Sequence, residues 1–198
     1  LAALKVQTDV AQLSLDDPEA QSKALGQLHA GIDRASRLVD QLLTLSRLDS
    51  LDNLDDVEPV MMADLLQSAV LDIWHPAQQA GIDIRLNVNA PEVMRHGQPL
   101  LLSLLARNLL DNAVRYSPRG SVVDVTLNTQ SFTVRDNGPG ISTDALARLG
   151  ERFYRPPGQD ATGSGLGLSI VKRIAALYEM RVSLGNAPEG GFEVTVSW

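Results

Sequence analysis

From residue 61 onward the spacing of apolar residues switches repeatedly between a helical and a strand period, and this constrains the fold more than any other feature. Residues 61–79 carry a helical pattern that Gly81 stops, after which Ile82, Ile84, Leu86 and Val88 alternate as a strand. A weak second strand is expected at Val93 and Met94. Residues 98–116 return to the helical period and end ahead of Pro118 and Gly120. Val123, Val125 and Leu127 alternate again, with "SFTVRDNG" as the expected hairpin partner. A short helix around 142–149, an irregular segment to Thr162, a helix over 165–179 and two strands, "RVSLG" and "FEVTVSW", complete the series. Helices and strands intermix without the strict alternation of a doubly wound parallel fold. The pattern predicts an α+β class, a two-layer sandwich of helices on a mixed sheet.

The N-terminal part obeys one period only. Leu1, Leu4, Ala11 and Leu15 line a short helix that ends near "SLDDPEA", where Asp16, Asp17 and Pro18 supply a turn and then helix-start chemistry. Leu25, Leu28, Ile32, Ala35, Val39 and Leu42 then recur by threes and fours, with Leu38 and Leu45 widening the stripe. Two helices cannot bury stripes this wide against each other, so half of a four-helix bundle shared by two chains is the economical solution. The alternative is one long helix packed on its own domain. "DSLDNLDDVEPV" is acidic and closed by Pro59, which reads as a linker. The expected organisation is a hairpin at 1–51, a linker at 52–60 and a second domain at 61–198.

Charge narrows the ligand classes. Lys and Arg number 17 against 24 Asp and Glu, a formal net charge of -7, which disfavours non-specific attraction to nucleic acid or anionic lipid. An anionic ligand must then be held locally. The chain has no cysteine, excluding disulfides and thiolate-held metals. No apolar run is long enough to span a bilayer and no signal peptide heads the chain. Its first residues, LAALKVQ, are already in helical periodicity without an initiator Met, so the expectation is a piece of a longer protein.

Three short segments stand out. In "RNLLDNAVRYSP", Asn108 and Asn112 lie one turn apart on an otherwise apolar helix and point the same way. They satisfy buried backbone groups, or they serve a ligand. In "RDNGPGIS", Asp136 ends a strand, and Gly138 and Gly140 allow a tight turn and close approach of a ligand. A carboxylate only accepts hydrogen bonds, which suits an exocyclic amine such as that of adenine; an ordinary Asp-Asn-Gly turn is the plain alternative. In "TGSGLGLSIVKRI", Gly163, Gly165 and Gly167 lead into an apolar-periodic helix, the outline of an anion site at a helix N-terminus. The same glycines also permit close helix packing, and the Lys-Ser or Lys-Thr of a Walker loop is missing.

Taken in order, the Asn-bearing helix, Asp-x-Gly-x-Gly, the aromatic segment "ERFYRPP" and Gly-x-Gly-x-Gly opening a helix resemble the N, G1, F and G2 boxes of the histidine-kinase branch of the GHKL ATPases. The hairpin with "LVDQLLTLSRLDS" resembles the dimerisation and phosphoacceptor domain that precedes the ATP-binding domain in those kinases. The resemblance implies a Bergerat-type sandwich that binds ATP and Mg2+, transfers the γ-phosphoryl to a histidine, and passes it to an aspartate of a response regulator receiver domain. It implies that Asn112 ligates Mg2+ through its side-chain oxygen and that Asn108 helps hold the metal. Arg115 would pair with a phosphate, Tyr116 would pack on the nucleotide, and Asp136 would read the adenine amine above Gly138 and Gly140. Phe153 and Tyr154 would begin a lid. Arg155 would reach the triphosphate or lie on the surface. Thr162, Gly163, Gly165, Leu166 and Gly167 would close on the phosphates.

The family's phosphoacceptor lies in a His-Glu-x-x-Ser/Thr-Pro-Leu box, and Leu1 resembles its closing Leu. The acceptor would then lie upstream of this chain. His29, His75 and His96 have no such surroundings and read as ordinary surface or packing residues. The resemblance thus implies a chain that binds ATP without phosphorylating itself, a homodimer through 1–51 in its parent, and the cytoplasmic portion of a bacterial inner-membrane sensor that meets the membrane only through upstream segments. Two departures are local: Gln98 follows Gly97 where many members have Asp, and "LYEM" stands where His-Gly-Gly is common. Two rivals stay open, a GHKL machine that hydrolyses ATP and a non-catalytic nucleotide-binding scaffold. The hydrolysing members use a Glu on the N-box helix, where this chain has Asn108.

Overall fold

The computed structural model describes residues 2–13, 17–51, 56–156 and 163–198. Leu1, Leu15, Asp16, residues 52–55 of the expected linker and Thr162 therefore lie outside the described residues. The chain divides into two compact units, Leu1–Thr44 and Leu45–Trp198.

The first unit is a helical hairpin of α1 (Ala2–Leu13) and the greater part of α2 (Pro18–Asp49). Helix α2 starts where the sequence places a start signal. Asp17 Oδ1 accepts the N–H groups of Glu19 and Ala20 at 3.1 and 3.0 Å, with Pro18 in the first turn. The apolar stripe on α2 resolves into two neighbouring faces rather than the single one expected. Ala24 and Gly31 are buried with Leu28 and Leu38 half-buried, as Ala11 of α1 is buried. Leu25, Ile32, Val39, Leu42 and Leu43 form the other face and stay exposed, and Ala35 is exposed as well. A period of 3.6 residues separates 24, 31 and 38 from 25, 32 and 39 by about one residue's rotation.

The second unit is the expected sandwich. Its five-stranded sheet has the order β2-β4-β5-β7-β6, formed by β2 (Asp83–Val88), β4 (Val122–Asn128), β5 (Ser131–Asp136), β6 (Arg181–Asn186) and β7 (Phe192–Ser197). β2 runs parallel to β4 and every other pair is antiparallel, so the sheet is mixed. Helix α3 (Met62–Ala80) packs on α4 (Pro99–Tyr116), the short α5 (Thr143–Arg148) follows β5, and α4 packs on α6 (Gly167–Leu177). The alternation read at Val123, Val125 and Leu127 is the inward face of β4, and all three are completely buried beneath these helices. Gly81 ends α3 with φ +70, a left-handed cap that glycine adopts without strain, and its N–H bonds the Gln78 carbonyl at 3.0 Å.

Three boundaries differ from the sequence reading. β1 (Glu58–Met61) pairs antiparallel with β3 (Met94–Gly97), so the last residues of the expected linker form a strand and Val93 precedes its strand. Pro59 fits because it sits on a two-stranded ribbon, where an edge tolerates a missing donor. Helix α6 begins at Gly167 and not at Gly165, whose φ of +73 is left-handed. Residues 45–51, expected with the hairpin, pack with the second unit. Leu45 and Leu48 are buried in its core, and Arg173 of α6 donates to the carbonyls of Leu48 and Leu51 at 3.0 and 3.1 Å. Among the described residues no helix is long and apolar enough to cross a membrane.

Candidate functional site

Helix α4 buries Leu101, Leu102, Leu105, Leu109 and Leu110 in the core, and the Asn108 and Asn112 side chains face the start of α6. Asn108, only 7% exposed, donates Nδ2 to the Leu104 carbonyl at 2.8 Å. This half of its amide satisfies the backbone, and it fixes Oδ1 on the opposite side. A Cβ placed on Gly167 would stand 3.3 Å from Asn108 Oδ1 and 3.1 and 3.2 Å from the two polar atoms of Asn112. Both amides therefore converge on the N-terminus of α6, where free N–H groups and the helix dipole favour an anion. Among the described residues no group of three or more His, Cys, Asp or Glu converges on one point. The donors here are neutral amide oxygens, which fit a hard cation that takes its other ligands from phosphate and water.

Asp136, the last residue of β5, is also 7% exposed. Its Oδ1 accepts two backbone N–H groups, from Gly138 at 2.8 Å and from Phe192 at 3.1 Å. Both described bonds fall on one oxygen, which leaves Oδ2 as the acceptor for a ligand donor. Gly138 packs so tightly under this carboxylate that a Cβ would come 2.9 Å from Oδ1, and Gly140 takes φ +74. Around this turn stand residues the sequence reading missed. Asn186 receives the Ile141 N–H on Oδ1 at 2.8 Å and returns Nδ2 to the Ile141 carbonyl at 2.7 Å. Asn137 Oδ1 accepts the Val122 N–H at 2.8 Å. Gly191, with φ +92, lies so close to the Asp136 carbonyl oxygen that any side chain would collide with it. "EGGF" carried a turn signal for Gly191; nothing in the sequence singles out Asn186.

The F and G2 segments meet through backbone. Phe153 N–H bonds the Gly165 carbonyl at 3.1 Å, and a Cβ on Gly165 would stand 2.7 Å from the Phe153 carbonyl carbon. Phe153 is 58% exposed and holds φ +65, a conformation costly for a bulky residue. Arg148 stacks over the Tyr154 ring at 4.1 Å while pairing with Glu151 at 3.1 Å. Gly163 lies against Tyr116, whose hydroxyl would be 2.7 Å from a Cβ there, with Arg115 Cδ at 3.8 Å. Arg115, Tyr116 and Gly163 are thus neighbours. Arg155 is exposed. Leu166 is different: its side chain is completely buried in the core, so only its backbone reaches this surface, with its N–H on Ser164 Oγ at 3.1 Å. Lys172, also unforeseen, donates Nζ to the Leu149 carbonyl at 2.6 Å beside Gly150. The two departures from the family wording touch each other. Tyr178 accepts the Gln98 N–H, and burial raises the Tyr178 hydroxyl pKa above its usual value against the opposing effect of that bond.

Residues 97–198 match the family described as histidine kinase-, DNA gyrase B- and HSP90-like ATPases. The sensor protein QseC of Salmonella typhimurium is 74% identical over 198 residues, which cover all of this chain and 44% of that protein. The chain thus spans less than half the length of the QseC proteins it matches. The solved cytoplasmic segment of histidine kinase QseC is 62% identical, with a TM-score of 0.62 over 84% of this chain and 93% of that one. Full-length ShkA in complex with AMPPNP is 26% identical, with a TM-score of 0.76 over 98% of this chain and 44% of that one. With its boxes carried in order on a mixed sheet, the chain belongs to the family of histidine kinase-, DNA gyrase B- and HSP90-like ATPases and is similar throughout its length to the QseC sensor kinases.

Proposed function

We propose that this chain is the cytoplasmic kinase region of a two-component sensor of the bacterial inner membrane. In this reading it binds Mg-ATP and directs the γ-phosphoryl to a histidine outside the chain, from which an aspartate of a response regulator receives it. One observation carries the reading: two amide oxygens and the α6 N-terminus converge at Gly167, while among the described residues both bonds to the Asp136 carboxylate fall on Oδ1 and leave Oδ2 to a ligand at the end of the neighbouring strand. A nucleotide needs such a pair of ends, one for phosphate and one for the base.

Asn112 and Asn108 would hold Mg2+, which supplies charge neutralisation for the triphosphate. Asp136 accepts the exocyclic amine, and Gly138 and Gly140 keep the floor beneath the base thin. Tyr116 packs on the nucleotide, Arg115 and Arg155 pair with phosphate oxygens, and Phe153 and Tyr154 anchor the lid. Thr162, Gly163, Gly165, the Leu166 backbone and Gly167 supply the phosphate-facing edge. Catalysis in this class is chiefly positioning and charge stabilisation. Two of the three histidines lie in contacts along their own helices, His29 at 3.4 Å from the Leu25 carbonyl and His75 at 3.0 Å from Gln79. With the acceptor outside the chain, this reading has it bind ATP without phosphorylating itself. Residues 1–51 pair with a second copy through the exposed face of α2, and the membrane is reached only through segments outside this chain.

Calorimetric titration with ATP, with and without Mg2+, tests the reading. Asn112→Ala should abolish the metal dependence and Asp136→Ala should abolish binding. A chain that binds no ATP under either condition would sink the proposal.

A further inference from the structure

The β6–β7 hairpin reaches the Asp136 turn at two points from a single register position. Asn186 closes β6, Phe192 opens β7, and the two are cross-strand partners. Phe192 donates its N–H to Asp136 Oδ1, and Asn186 grips Ile141 with both ends of its amide, at 2.8 and 2.7 Å. The backbone ladder itself does not extend to the turn. β5 pairs with β4 as far as Asp136 and with β7 as far as Arg135, so residues 137–141 project beyond the sheet. Side chains hold them instead. Asn137 ties the near end to Val122 of β4, and Asn186 ties the far end to the edge strand β6. Gly140 sits between, and a Cβ on it would come 2.8 Å from Asn186 Oδ1. Thus the glycine at this place keeps the clamp closed as well as the turn tight.

We propose that Asn186 is a positioning residue for base recognition. It fixes Ile141 and so the backbone of residues 138–141, which keeps the Gly138 N–H on Asp136 Oδ1 and leaves Oδ2 aimed at an exocyclic amine. A carboxylate held by two N–H groups on one oxygen cannot turn to avoid an acceptor, so a base with an oxo group in place of the amine meets two acceptors face to face. The inference rests on the nucleotide reading of the site and adds to it the element that sets adenine selectivity.

The test is displacement of a fluorescent ATP analogue by ATP and by inosine triphosphate, whose base carries that oxo group, in the unchanged chain, Asn186→Ala, Asn186→Ser and Asn112→Ala. Asn186→Ala should weaken ATP roughly tenfold, the scale of two neutral hydrogen bonds, and leave inosine triphosphate nearly unaltered. Asn186→Ser, able to keep one of the two bonds, should fall between. Asn112→Ala should weaken both nucleotides alike. Equal weakening of both by Asn186→Ala, or none, would overturn the positioning role. Hydrogen exchange of the Ile141 amide in the ligand-free chain reads the clamp without any nucleotide: protection should drop in Asn186→Ala, and unchanged protection would overturn it too. If the unchanged chain binds neither nucleotide while that protection drops as expected, the nucleotide reading has failed, and the selectivity role falls with it.

Discussion

The Tyr178 hydroxyl accepts the backbone N–H of Gln98 at 2.8 Å, directly ahead of α4. Gln98 is the N-cap of that helix and provides no side-chain cap of its own. The two positions at which the chain departs from the common family wording thus meet, and one answers the orphan donor beside the other. Tyr178→Phe should lower stability by about 1 kcal/mol, the scale of a part-buried neutral hydrogen bond, as measured by urea unfolding.

The same residue gives the chain a signature at alkaline pH. Burial, the larger cause, raises the Tyr178 pKa above 10.0 and the Gln98 bond only partly offsets it. Below the unfolded value both states keep the proton and the contribution is constant. Above it the unfolded chain releases the proton while the folded chain retains it, so stability falls with rising pH until the folded pKa is passed. Tyr178→Phe should flatten that part of the unfolding profile; an identical slope in both proteins would refute the assignment.

Gly167 separates folding from ligand binding. Alanine is a better helix former than glycine, by up to about 1 kcal/mol and by less at the first position of a helix, and the nearest atoms a Cβ here would meet are the side-chain amides of Asn108 and Asn112 at 3.1 to 3.3 Å. Gly167→Ala should therefore leave thermal stability equal or higher, yet weaken ATP roughly tenfold as the added methyl displaces the amide oxygens. Loss of stability without loss of binding would mean that the glycine serves helix packing alone.

Arg152 holds Asp49 through both carboxylate oxygens, at 2.9 and 2.7 Å, and joins the segment before Phe153 to the last turn of α2. Both side chains are partly exposed and a single nitrogen, Nη2, makes both contacts, so the pair is worth only about 0.5–1 kcal/mol. A double-mutant cycle of Arg152→Ala and Asp49→Ala should return that coupling and lose most of it in high salt.

What could be read from the sequence follows the range of each signal. Periodicity is local, and it located every strand of the larger sheet and the helices that cover it. It failed at β1, where "EPVM" carries no alternation and Pro59 argues for a linker; only pairing with β3, far along the chain, makes a strand of it. The site divides in the same way. Asn108, Asn112 and the glycines announce themselves by being out of place in their local pattern. Asn186 and the Phe192 N–H act on Asp136 and Ile141 across a sheet, and no local anomaly marks them. Leu166 divides within itself: its side chain is completely buried in the core, so only its backbone is left to the box it was counted with.

The exposed face of α2 supplies the last prediction. Leu25, Ile32 and Val39 recur at sevens and remain 44, 47 and 51% exposed, an unusual amount of aliphatic surface on one side of a helix. Burial of one such side chain is worth roughly 1.5–3 kcal/mol, and a twofold-symmetric pairing buries each residue once in either copy. Replacing Val39 with Glu should therefore weaken self-association on the order of a hundredfold or more, seen as a shift from two copies to one in sedimentation equilibrium. ATP titration should be unchanged, since Val39 lies in the first unit and the candidate site in the second. An unchanged chain that stays monomeric at every concentration would remove the two-copy bundle from the reading and leave the ATP site untouched.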